Sequence, residues 1–115
     1  MRIKKKWGEI IQLAFNQPCS VKVIEIRPGE STTYHYHNFR EDLWFVLDDG
    51  VGVVIDGKNF NASHGDEFFI PAGTPHRLYS RSSSTVRVLE IAYGFTEESD
   101  KVLVEENVKD NNPND

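Results

Sequence analysis

Histidines 35, 37 and 76 are the residues of this 115-residue chain whose types and spacing best suit chemistry. His35 and His37 stand two apart in a stretch, residues 32–37, that is β-branched and aromatic and reads as a strand. Period two puts both imidazoles on one face with Thr33, while Tyr34 and Tyr36 take the other. Two neutral imidazoles aimed into one space suit a shared metal ion, with ligand nitrogens converging to about 2.0–2.1 Å for zinc. An isolated His-x-His is more often an exposed strand face, but two further features accompany this one. A carboxylate pair, Glu41-Asp42, opens the next apolar run, and His76 follows the rigid turn Pro71-Ala72-Gly73-Thr74-Pro75. Neighbours on a strand face opposite ways, so only one of Glu41 and Asp42 can turn toward the histidines. Glu41 has the longer reach and is preferred narrowly; Asp42 is the alternative. The fourth histidine, His64, precedes Gly65 and reads as a solvated turn residue.

Such a site needs short strands to present it, and the chain is punctuated for them about every ten residues. Arg27-Pro28-Gly29-Glu30, Asp48-Asp49-Gly50, Asp56-Gly57, His64-Gly65-Asp66 and the serines 82–84 are turn signals. Between them residues 21–26, 32–37, 43–47, 51–55, 67–70, 76–79 and 86–92 read as strands. Many short strands at this spacing predict an all-β sandwich or barrel of antiparallel sheets. Helix signals are confined to residues 7–15 and 97–104, with room for one or two turns each. Residues 1–106 read as a single domain, and residues 107–115 as an acidic, disordered tail with nothing to bury.

Composition narrows the function classes. The formal charge of −5 lies mostly at the ends: residues 97–115 carry seven acids against two lysines, and Arg2, Lys4, Lys5 and Lys6 form a basic head. Residues 7–96 hold 7 bases and 11 acids, a balance that repels phosphate backbones and argues against nucleic acid as a partner. Cys19 is the single cysteine, so an internal disulfide or a multi-thiolate zinc site is excluded and any metal is held by His and carboxylate. The same residue fits a reducing, cytoplasmic setting. Glu9 and Gln12 break the apolar stretch that an export signal would need, and no run approaches a membrane span.

Two segments together resemble the paired motifs of the cupin superfamily. Gly29-x5-His35-x-His37-x3-Glu41 (or x4-Asp42) is similar to the first, and Gly65-x5-Pro71-x-Gly73-x2-His76 to the second. Within that superfamily the chain looks most like the cupin domain at the C-terminal end of type II mannose-6-phosphate isomerases and their small stand-alone relatives. That likeness rests on Lys6-Trp7-Gly8, Val21-Lys22, Arg27-Pro28-Gly29, Trp44, residues 70–78, Leu89-Glu90-Ile91 and the acidic residues 97–105.

The resemblance implies a jelly-roll β-barrel and one divalent metal held by His35, His37, Glu41 (or Asp42) and His76. Zinc is the first expectation, with iron, manganese or nickel as alternatives. It further implies a small-molecule substrate such as a sugar phosphate, with Lys22 at a substrate-binding position, and a homodimer. A sugar-phosphate isomerase using the metal as Lewis acid is the activity it suggests first. A non-heme iron dioxygenase and a non-catalytic small-molecule-binding cupin are the alternatives. Leu103 and Val108-Lys109-Asp110 stand where the family often has arginines, so any phosphate-holding role of those arginines is missing here or moved elsewhere. The base for such a reaction is left open between whichever of Glu41 and Asp42 is not a ligand and Glu67; Arg77 is expected to point out of the barrel. Unperturbed histidines predict metal loss through about pH 6–5.

Overall fold

The computed structural model describes residues 1–104, and among these there is no helix. Eleven strands follow in order: β1 Arg2–Lys5, β2 Gly8–Ile11, β3 Cys19–Ile26, β4 His35–Tyr36, β5 Asp42–Val46, β6 Val51–Ile55, β7 Lys58–Ala62, β8 Glu67–Ile70, β9 His76–Ser80, β10 Val86–Tyr93 and β11 Val102–Leu103. They form a four-stranded sheet, β3-β10-β5-β8, and a five-stranded sheet, β11-β4-β9-β6-β7, with β1-β2 as a separate two-stranded hairpin. All pairings are antiparallel. Apart from the β6-β7 hairpin, neighbours in the two larger sheets are not consecutive in the chain, as in a jelly roll rather than a meander.

The alternation of residue types explains the two-layer packing. On β10, Val86, Val88, Glu90 and Ala92 are buried, while Arg87 between them is exposed. On β5, Asp42, Trp44 and Val46 are buried in the same rhythm. The inner faces of both sheets meet in a core of Ile26, Trp44, Val46, Val51, Val53, Ala62, Ile70, Leu78, Val86 and Val88. Gly52 faces the Tyr79 ring so closely that a Cβ would lie 2.1 Å from a ring carbon, which ties glycine to that place on β6.

Several elements differ from the expected pattern: the strand expected over residues 32–37 narrows to β4, His35–Tyr36. Residues 7–15 form the second strand of a hairpin and the segment after it, because cross-strand partners such as Ile3 and Ile10 stabilise an extended chain. Residues 97–104 form a turn closed by Asp100 N–H donating to the Glu97 carbonyl, then β11 on the sheet edge. β7, with its burial pattern mostly exposed, lies on the sheet edge and carries only Phe60 and Ala62 as apolar residues. The tail expected at 107–115 lies outside the described residues. Among the described residues no helix is long and apolar enough to cross a membrane.

Candidate metal centre

Strand β4 and the start of β9 are neighbours, and the register pairs His35 directly with His76. His37 follows β4 by one residue on the same face as His35. The turn before His76 needs Gly73, whose φ of +82° is a conformation that L side chains rarely adopt. Its N–H donates to the His37 carbonyl at 2.7 Å, tying the turn between Pro71 and His76 to the backbone of the His-x-His segment. The three rings converge: centroids are 5.0 Å apart for His35 and His37, 4.7 Å for His35 and His76, and 5.2 Å for His37 and His76. One nitrogen from each ring lies within 4.8 Å of the others.

Each ring turns its Nδ1 away from this common point. His35 Nδ1 lies 3.1 Å from the Thr33 carbonyl and 2.9 Å from the Thr33 hydroxyl. His76 Nδ1 meets the Thr74 carbonyl at 2.8 Å, and His37 Nδ1 meets the Asp100 carbonyl. A carbonyl only accepts, so a ring bonded to one carries its proton on Nδ1 and leaves Nε2 with a free lone pair. Nε2 of His37 and of His76 is buried and has no hydrogen-bond partner. Buried polar atoms are ordinarily satisfied, so two orphaned acceptors a few ångströms apart fit a shared cation. Burial, with the neighbouring His76 next in importance, pushes the His35 pKa down to about 3; burial also pushes His76 down to about 4. Both imidazoles are therefore neutral, the ligating form, across the physiological range.

The two carboxylates part as strand alternation requires, Asp42 turning inward and Glu41 outward. Glu41 is exposed and lines a separate cavity with Met1, Phe15, Phe69 and Tyr93. Asp42 is 1% exposed, and its Oδ2 lies 3.9 Å from His37 Nε2. Among the described residues the converging group is the three histidines; neither carboxylate joins it. Asp42 is instead held by Arg40, whose Nε and Nη2 donate to its two oxygens at 2.9 and 3.2 Å. Arg40 Nη2 also donates to Glu90 Oε1 at 3.3 Å, and Trp44 Nε1 donates to Glu90 Oε2 at 2.8 Å. The two carboxylates thus share one guanidinium beside the histidines.

A cavity of about 200 Å³ opens on this group, with Lys22, His35, His37, Arg40, Glu90 and Lys101 in its lining. Lys22 lies where the resemblance places a substrate contact, 3.4 Å from Glu98 Oε1, which lines the same cavity. Glu67, one of the residues left open as a base, lies elsewhere and accepts from Arg2 at 2.6 Å. Arg77 alternates with the buried His76 and Leu78, and its guanidinium stacks over the Tyr34 ring at 5.7 Å from the centroid. Arg40, Glu90, Asp100 and Lys101 were not singled out from the sequence. Glu90 had a signal: it occupies the buried phase of the run Val86-x-Val88-x-Glu90-x-Ala92, where a charge is unusual.

Residues 1–106 match the family described as mannose-6-phosphate isomerase C-terminal. Among curated proteins, mannose-1-phosphate guanylyltransferase ManC of Salmonella typhimurium is 26% identical over 105 residues, 90% of this chain and 22% of that protein. The chain thus spans about a fifth of the length of such relatives. A double-stranded β-helix protein of Klebsiella pneumoniae superposes with a TM-score of 0.68 at 17% identity, covering 82% of this chain and 81% of that one. A cupin domain from Schizosaccharomyces pombe superposes with a TM-score of 0.63 at 13% identity, covering 73% of this chain and 61% of that one.

Proposed function

The chain belongs to the mannose-6-phosphate isomerase C-terminal family, and from that premise we propose that it is a cytoplasmic, zinc-binding cupin that interconverts the aldose and ketose forms of a small phosphorylated sugar. The observation that carries this reading is the convergence of three imidazoles whose outer nitrogens are tied to backbone carbonyls, two of which, His35 and His37, line a cavity that also presents Lys22 and Lys101. His35, His37 and His76 would hold the ion, with Asp42 as the nearest carboxylate. Bound there, a divalent ion supplies a Lewis acid for a carbonyl oxygen.

The remaining roles fall to the cavity wall. Its volume is below the roughly 300–1,000 Å³ of drug-sized pockets, which favours a small polar ligand. Lys22 and Lys101 are the cations we assign to the phosphate. Aldose–ketose exchange moves a proton between adjacent carbons, and Glu90, the buried carboxylate of the lining, is the group we assign to carry it. A homodimer belongs to the same reading; it is supported by Val21, Val23 and Phe69, which leave 59%, 53% and 52% of their surface exposed on the outer face of the four-stranded sheet. Sedimentation analysis checks that assignment.

The test is metal analysis of protein purified without added metal, followed by an isomerisation assay on hexose 6-phosphates. About one equivalent of zinc per chain and turnover that falls at least tenfold in Lys22→Ala support the reading. Iron at stoichiometric level with O₂ uptake would replace the isomerase by an oxygenase. A folded protein that neither carries nor takes up a divalent metal would remove both.

A further inference from the structure

The outer nitrogens of the three histidines are held in two different ways. His35 and His76 each meet a carbonyl two residues earlier in their own segment, that of Thr33 or Thr74. His37 meets the carbonyl of Asp100, 63 residues further along the chain. That carbonyl belongs to a strap that leaves β10 at Gly94 and returns to the five-stranded sheet as β11, beside β4.

Asp100 seats the strap on the metal-centre segment by both of its ends. Its carbonyl accepts from His37, and its Oδ1 and Oδ2 accept the N–H groups of Asn38 and Phe39, each at 2.8 Å. Those two amides directly follow His37, so a single residue grips the histidine ring and the backbone that carries it. Beyond Asp100, Val104 N–H donates to the Tyr34 carbonyl at 2.9 Å, and β11 pairs with Tyr36 and His35. The partners of His35 and His76 come with their own strands; the partner of His37 is present only while the strap is docked.

We propose that Asp100 is a positioning residue for the metal centre, docking the C-terminal strap so that its carbonyl fixes the tautomer and orientation of the His37 ring. The site is then complete only with the strap seated, which gives anything that binds or displaces residues 94–104 a route to the metal. This rests on the metal-binding reading above, and outer partners of ligand histidines typically change metal affinity by about 10–100-fold.

The test uses the full chain, Co²⁺ titrations followed by d–d absorption, and NMR of the histidine ring nitrogens in the metal-free protein. Asp100→Ala is expected to lower cobalt affinity by about 10–100-fold and to change the cobalt spectrum. In the metal-free variant His37 should lose its fixed Nδ1–H tautomer while His35 and His76 keep theirs, and Asp100→Asn, which retains one acceptor oxygen, should recover most of both. A folded Asp100→Ala protein with unchanged affinity and an unchanged His37 tautomer overturns the proposal. If that variant does not fold, wild-type protein decides, since a His37 carrying its proton on Nε2 would overturn it equally. Failure of wild-type protein to bind cobalt would count against the metal reading alone, because the tautomer comparison needs no metal.

Discussion

The inner face of the four-stranded sheet has two ends built from the same strands by opposite means. At one end Ile26 pairs with Val86, and Val88 sits between Ile24 and Val46, with Val46 and Val88 fully shielded. One step along the same strands, Glu90 sits between Lys22 and Trp44, and one step further Ala92 pairs with Asp42. The apolar end is stable because burial removes hydrocarbon from water, at about 25 cal/mol per Å². The polar end is tolerable because each buried charge has a partner: Asp42 and Glu90 share Arg40, and Trp44 donates to Glu90. A buried ion pair of this kind stabilises little relative to an apolar substitute, yet breaking it is costly. The difference locates the function: one end holds the barrel closed, and the other spends stability on a charged, histidine-lined cavity.

Substitutions at the two ends should therefore separate metal binding from folding. The largest effect expected is on binding: His35→Ala combined with His37→Ala abolishes stoichiometric metal uptake while the far-ultraviolet circular dichroism spectrum stays that of a β-barrel. Retained metal in that protein would place the site elsewhere. Arg40→Met strands two buried carboxylates and should destabilise by roughly 3–5 kcal/mol in urea titrations. A loss under about 1 kcal/mol would mean that the carboxylates are hydrated or protonated rather than dependent on Arg40. Ile26→Ala, at the apolar end on β3, should cost about 2–5 kcal/mol and leave metal stoichiometry unchanged. Coupled loss of metal there would contradict the division between the ends.

The pH dependence of the metal-free protein sharpens the same comparison. His35 and His76 have folded pKa values of about 3 and 4, below the 6.5 of the unfolded chain, so the unfolded state binds more protons between these limits. Stability from their neutral forms is complete above about pH 6.5 and is lost as pH falls toward 4 and then 3. Urea midpoints of metal-free protein should drop across that window, and the slope should flatten when both histidines are replaced by glutamine. The same burial shifts the expected proton competition at His35 and His76 below the pH 6–5 range that unperturbed imidazoles would give.

Much of this was legible in the residues. The strands at 51–55 and 67–70 were found because turn residues bracket them and apolar residues fill them, and the three histidines because two share a strand face and the third follows a rigid turn. What was missed depends on tertiary partners. Which of Glu41 and Asp42 faces inward is set by the register of β5, which buries Asp42, and side-chain reach says nothing of that phase. Residues 7–11 and 97–103 lack strong periodicity because their extended shape comes from pairing with β1 and β4. Asp100 and Arg40 act across long sequence separations, on His37 or Glu90, that no local pattern encodes.

The most direct measurement is an anomalous difference map, collected at the zinc edge, from crystals of protein purified without added metal. The account predicts a single peak within about 2.0–2.2 Å of Nε2 of His35, His37 and His76, with Asp42 rather than Glu41 as the nearest carboxylate. A zinc peak bound through Glu41, or a fully occupied metal that these histidines do not touch, would contradict it.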